Sequence, residues 1–351
     1  MRHWPRPLAC LALGTLVCAV ACAAPPKPHP ATPVQPAAKA HKPAKPESAD
    51  ARTAALIAFQ RDLVSVLAPQ VSAGPLLAAA LLARPLPRQP AFNGFHALIQ
   101  RSLAASDASA ADDWAALADC DAKADACPNA AALKALEAKA PDNAAVWLFK
   151  LGVDAHDDRA KDARADLARA AQAKLYDDYT GAALQALANN ISVLPPPPTT
   201  MAPLSGGGAA GVQLMMVFGN AGSMPQVYLP ATAQLCESGD AAIKAECRTL
   251  GQLLEWGSSP LSRSLGLHLR EVLDPDPARQ ADAKNARRSL IWQVQSFSRL
   301  QASAQGDPAL GQHLLALARN GGTEMSLMLA ALHDYHLPSD PPTDWQPDPG
   351  H

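Results

Sequence analysis

The residues best placed to do chemistry in this 351-residue chain are cysteines in two close pairs, Cys120 with Cys127 and Cys236 with Cys247. Three chemistries use paired cysteines. Zinc sites favour ligands about two to four residues apart with a second such pair nearby, and neither pair has that form. A dithiol redox centre wants Cys-x-x-Cys at a helix start, which is absent. A structural disulfide needs only that two helices be brought alongside. In "CDAKADAC" one cysteine falls near the end of a helical segment and the other in the turn before the next. In "CESGDAAIKAEC" the first precedes a turn and the second lies some two turns into a helix. Disulfides 120–127 and 236–247 are therefore expected. Each limits the unfolded ensemble by about 2–3 kcal/mol in the chain-entropy account.

The remaining candidates read as structure before they read as chemistry. "HDYH" sets His333 and His336 three apart beside Asp334, able to share a helix face, but no third metal ligand accompanies them. Exposed histidines at a helix end are expected there. His96 and His268 sit among apolar neighbours and are expected to be partly buried structural histidines. The acidic pairs Asp112–Asp113, Asp157–Asp158 and Asp177–Asp178 are placed at helix starts, where negative charge complements the helix dipole. Gly206–Gly208 lacks the Lys-Ser/Thr of a phosphate loop, and Ser205 has no nucleophile-elbow sequence around it. Met215, Met216, Phe218 and Met224 suit either a soft recognition surface or the packing of the second half of the chain, and packing is the expectation. No catalytic residue, metal or cofactor is assigned.

Stepping from these groups to the elements that carry them, 48% of residues are hydrophobic and only 5% aromatic, so the core is Leu and Ala. Alanine is the best helix former, and apolar residues recur at spacings of three and four. In Ala55–Ala68 the apolar face is Leu56, Phe59, Leu63, Val66 and Leu67; in Ala91–Leu103 it is Phe92, Phe95, Leu98, Ile99 and Leu103. No period-two segment occurs. The fold class expected is all-α, built of antiparallel helical hairpins.

Trp114 and Trp147 are separated by a period of 33, each in a helical segment followed by another, a spacing typical of stacked helix pairs. The stretch Pro141–Ala173 resembles one tetratricopeptide repeat: Pro141 six residues before Trp147, then Leu151–Gly152, then Ala163, Leu167 and Ala170 as the small, large, small positions of the second helix. It departs from that pattern at Asp154, where tyrosine is usual, and at Leu175, where proline is usual. The resemblance covers about one and a half repeats, residues 110–177. It implies a partly tetratricopeptide-like solenoid, packed through Trp147, Leu151, Ala163, Leu167 and Ala170, of a kind that commonly binds peptides or proteins.

The first 23 residues, a short positive start, an apolar run Leu8–Ala21 and small residues, resemble a bacterial secretory signal peptide. "AVAC", Ala19–Cys22, resembles a lipobox with Ala19 in place of Leu, which would make Cys22 a lipidated residue. Residues 24–50 are a Pro/Ala/Lys-rich disordered linker. Residues 51–191 form a helical-repeat lobe, 192–208 a Pro/Gly connector, 209–337 a second helical lobe, and 338–351 a disordered tail. Lys and Arg number 30 against 32 Asp and Glu, and six of those cations lie before residue 51 against only Glu47 and Asp50. The rest is net acidic, which disfavours nucleic acid as a partner. These readings lead to an exported envelope protein, periplasmic or secreted, that touches a membrane only through a lipid at Cys22. A non-enzymatic scaffold binding a peptide or protein is expected. An envelope hydrolase without a legible motif and a structural lipoprotein are the alternatives.

Overall fold

Among the described residues, seven helices begin on a side chain that accepts a hydrogen bond from the first turn: Ser109, Asn129, Asn143, Asp240, Asp276, Asp307 and Thr323. Pro260, Pro277 and Pro308 open three helices, where a missing N–H costs nothing. The computed structural model describes residues 49–120, 127–201 and 207–347. The leader, linker residues 24–48 and Cys22 lie outside the described residues, as do Ser205 and Gly206, whereas Ala49 and Asp50, expected in the disordered linker, open α1.

Among the described residues the chain is all-α. It runs α1 (Ala49–Leu67), α2 (Ala73–Ala83), α3 (Phe95–Leu103), α4 (Ala110–Ala116), α5 (Ala130–Lys139), α6 (Ala144–His156), α7 (Ala160–Gln172) and α8 (Thr180–Asn190). After the connector come α9 (Gly208–Ala221), α10 (Leu229–Ser238), α11 (Ala241–Leu254), α12 (Pro260–Leu273), α13 (Pro277–Ala304), α14 (Pro308–Asn320) and α15 (Glu324–Asp334). No described helix is long and apolar enough to cross a membrane.

The helix α2 is apolar on every side, and Leu76 through Ala83 are all buried. It lies among α1, α3 and α8. Beyond it, α8 packs on α9 and α14, and α7 packs on α11, so one continuous core takes in helices from both sides of the connector. Gly181 makes one of the close approaches: a Cβ there would overlap the Gly322 carbonyl oxygen. The Pro/Gly stretch interrupts the helices without interrupting the packing.

Some faces differ from the expected ones. In α1 the buried stripe is Phe59, Leu63, Val64 and Leu67, while Val66 is turned outward. Gly94 breaks the segment Ala91–Leu103 into a 3-10 turn and α3, leaving Phe92 on the surface under the Arg101 guanidinium at 4.4 Å. The tail differs most. Residues 338–347, expected to be disordered, run along α13 and are hydrogen-bonded to it.

Both cysteine pairs are disulfides with the expected partners. Cys236–Cys247 joins α10 to α11 with a Cα–Cα distance of 5.7 Å, and both sulfurs are buried. Cys120–Cys127, at 5.2 Å, joins the residues after α4 to those before α5.

Candidate functional site

The α6–α7 hairpin is built as its small and large residues require. Asn143 caps α6 by accepting from the Ala145 N–H at 3.0 Å, and the Trp147 indole donates back to the Pro141 carbonyl at 2.7 Å. Trp147, Leu151, Ala163, Leu167 and Ala170 are all buried between the two helices or against their neighbours.

Gly152, beside Leu151, serves the opposite face of α6. An added Cβ would stand 3.2 Å from the Tyr228 Cβ, so glycine lets the segment Met224–Tyr228 lie close against the helix. The fully buried Trp114 holds that segment, its indole donating to the Pro225 carbonyl at 3.0 Å. The Trp114 ring is itself set edge-on to Phe149 at 5.5 Å and tilted against Tyr179 at 5.6 Å.

Where this segment turns into α10, the two helices part. A hollow of about 560 Å³ opens between Phe149, Val153 and His156 of α6 and Tyr228, Ala231 and Gln234 on the far side. A second hollow of about 270 Å³ shares Ala155, Ala231 and Gln234 with it and reaches Asp158 and Ser238. Together they form one open groove with apolar walls and polar groups at its edges. The disulfide Cys236–Cys247 fixes the α10 wall, and Cys127 lies at the rim.

Behind the groove lies an ion cluster at the position where the repeat pattern has tyrosine. Lys150 Nζ donates to Asp154 Oδ2 at 2.8 Å and to Asp166 Oδ2 at 2.9 Å. Arg159 Nε donates to Asp154 Oδ1 at 2.9 Å, and Arg169 Nη1 to Asp166 Oδ1 at 3.0 Å while lying 4.8 Å over the Trp147 ring. Burial pushes the Asp166 carboxyl up to about 6, with Lys150 opposing and Asp154 assisting. Burial would also raise Asp154, but hydrogen bonds from Lys150 and Arg159 carry it below the usual range. Every charge here has a partner, so the cluster braces the hairpin.

A second buried group stitches three segments. The Ser258 N–H donates to the Tyr176 carbonyl at 3.2 Å, the Asp178 N–H to Ser258 Oγ at 3.1 Å, and the Met325 N–H to the Ser258 carbonyl at 3.0 Å. Glu324 is pushed up to about 7 by burial and by the Asp178 carboxylate.

The other candidates are distributed over the surface. α15 ends at Asp334 and His336 adopts φ 54°, so His333 and His336 do not share a helix face. Asp334 instead bridges His333 at 3.2 Å and His313 at 2.9 Å. Among the described residues no group of three or more His, Cys, Asp or Glu is placed to hold a metal. His96 is a correction: its side chain is 79% exposed and pairs with Asp119 at 2.9 Å, because it points away from the α3 stripe. His268 is partly covered and bonds Glu237 at 2.7 Å. Asp112 and Asp113 lie in the first turn of α4 and Asp177–Asp178 precede α8, as expected, but Asp157 closes α6 at its C-terminal end. Met216 and Met224 are buried, Phe218 packs on Phe297 at 6.0 Å, and only Met215 is turned outward.

Sequence reasoning missed Phe149, His156, Tyr228 and Gln234 as groove residues. The one available signal was "PQVYLP", where Pro225 keeps Met224 out of helical geometry and Pro230 marks the first turn of a helix, leaving Tyr228 in the break between them. Fold and groove define an all-α, disulfide-braced chain with an open cleft on a helical hairpin. No protein-family model, no curated protein and no solved structure matches it.

Proposed function

We propose that the chain is an exported, non-enzymatic helical scaffold whose α6–α10 groove binds an extended peptide. The observation that carries this reading is the groove itself. About 560 Å³ of open space lies against a helix that already accepts an extended segment of the same chain, Met224–Tyr228. That volume falls in the range of ligand sites, and its mix of Phe149, Val153 and Tyr228 with His156 and Gln234 suits side chains plus peptide groups. The two disulfides favour an oxidising compartment, periplasmic or extracellular. The lipobox-like "AVAC" adds an outer-membrane anchor at Cys22 to the reading, tested by loss of membrane partitioning in Cys22→Ala.

The binding reading is tested with an array of extended decapeptides, followed by titration calorimetry of the strongest binders. Tyr228→Ala and Val153→Arg, each on one wall of the groove, are expected to weaken binding at least tenfold with helix content unchanged. Peptides that bind both variants as tightly as the parent chain would place recognition elsewhere, and an array without binders would defeat the reading.

A further inference from the structure

The face of α13 is made of hydrogen-bond donors, and a proline-rich strap lies on it. Trp292 Nε1 donates to the Pro338 carbonyl at 2.8 Å, and Gln293 Nε2 to the Ser339 carbonyl at 2.9 Å. Arg288 Nη2 donates to the Pro342 carbonyl at 2.8 Å, the Thr343 carbonyl at 3.3 Å and the Trp345 carbonyl at 2.6 Å. The Ser289 hydroxyl donates to Asp340 Oδ1 at 2.8 Å. Every one of these bonds runs from the helix to the strap. Such a face suits a segment whose prolines have no N–H to give, and the strap has prolines at 338, 341, 342 and 347. Side chains add a second level of recognition. The Trp345 ring meets Trp292 edge-on at 5.4 Å and lies under the Arg288 guanidinium at 5.5 Å. Charge agrees: Pro338–Pro347 carries Asp340 and Asp344 without a cation, and lies against the Arg288 guanidinium.

The site continues beyond the strap. Past Pro347 a hollow of about 560 Å³ runs between α12 and α13, walled by Leu261, Leu290, Val294 and Ala302. Leu261 is 62% exposed there. Gln295 also lines it, and among the described residues neither polar atom of its buried amide has a partner. An unpaired donor and acceptor side by side are what a peptide group would satisfy. The described part of the strap, residues 338–347, thus covers only part of this face.

We infer that the α12–α13 face is a recognition site for an acidic, proline-rich, tryptophan-bearing segment of a partner protein, which residues 338–347 occupy until displaced. Tethering gives the strap a high effective concentration, so the unaltered chain binds a free peptide weakly. The site is separate from the α6–α10 groove, and Tyr228→Ala leaves it intact.

The test uses the full chain and a fluorescent peptide of sequence PSDPPTDWQP. The strap variant Asp340→Ala/Trp345→Ala leaves the α13 donors in place and is expected to bind the peptide at least tenfold more tightly than the unaltered chain. Adding Trp292→Ala on the receiving face is expected to abolish that gain. If Trp292→Ala reduces helix content, Arg288→Ala replaces it with the same expectation. A basic proline-rich peptide, PKPHPATPVQPAAKAHKPAKP, taken from residues 26–46 of the sequence, is expected not to bind. Equal binding to the strap variant and the unaltered chain overturns the proposal, as does binding that survives loss of Trp292 and Arg288 or is matched by the basic peptide. A concentration-dependent dimer formed in place of peptide binding would overturn the partner assignment.

Discussion

Pro225 and Pro338 each offer a main-chain carbonyl to the indole N–H of a tryptophan, Trp114 at 3.0 Å and Trp292 at 2.8 Å. The two bonds are alike in chemistry, and both hold an extended, proline-flanked segment against helices. Their settings differ. Trp114 is fully buried between Phe149 and Tyr179, Met224 beside Pro225 is buried, and the segment leads into a helix pinned by Cys236–Cys247. Pro338 is exposed, as are most residues of the segment after it. A hydrogen bond removed from water is costly to lose because its partner stays unsatisfied, whereas at a surface water replaces it. The inner segment is therefore part of the core, and the outer one is a removable ligand.

The largest effect tests the inner half. Trp114→Ala removes a fully buried ring and strands the Pro225 carbonyl, so a loss of roughly 3–5 kcal/mol in urea unfolding is expected. A loss below about 1 kcal/mol would show that burial does not distinguish the two segments. Next comes the disulfide that follows the inner segment. Replacing Cys236 and Cys247 together by alanine should cost about 2–3 kcal/mol and loosen the α10 wall of the groove. The Cys120–Cys127 pair closes a shorter loop, seven residues against eleven, and Cys127 is exposed, so its removal should cost no more than that and leave peptide binding less affected.

How much of this was legible in the sequence depends on where each segment's partner comes from. The hairpin residues Trp147, Leu151, Ala163, Leu167 and Ala170, which the resemblance to a helical repeat marks as packing positions, are buried, and their partners lie within one local unit. The cysteine pairs were legible for the same reason, being seven and eleven residues apart. Trp114 meets Pro225 across 111 residues and Trp292 meets Pro338 across 46, and no periodicity announces such pairings. The tail composition, rich in proline and poor in apolar residues, signals disorder because its partners are donors on α13, which hydropathy does not count. His96 was misread because apolar sequence neighbours on a helix point to other faces.

Glu324 sharpens the contrast through pH, since it opens α15, the helix that leads into the outer strap. Its carboxyl is pushed from an ordinary 4.5 up to about 7 by burial and by Asp178. The folded chain thus holds this proton more tightly than the unfolded chain. The resulting stability is complete below about pH 4.5 and is lost as pH rises through about 7. Asp166, raised to about 6, acts in the same direction. Asp154 and Asp334, both lowered, act oppositely and lose their contribution as pH falls through the acid range. Glu324→Gln should raise stability at pH 8 by on the order of 2 kcal/mol and flatten the slope between pH 5 and 7. An unchanged slope in urea titrations across that range would show that Glu324 ionises freely in the fold.

The smallest effect on stability carries the most information about the strap. Trp292→Ala removes a half-exposed ring and one of the several bonds that hold residues 338–347, so overall stability should change by no more than about 1 kcal/mol. Local opening is a different quantity, because a weakly held surface segment opens without unfolding the core. An aspartate-directed protease should therefore cut at Asp340 and Asp344 about tenfold faster in Trp292→Ala, with a thermal midpoint close to that of the parent chain. If cutting does not accelerate, the strap is held by something other than the α13 donors. If instead the midpoint falls as far as it does in Trp114→Ala, the outer tryptophan is as much a part of the core as the inner one, and burial is not what separates them.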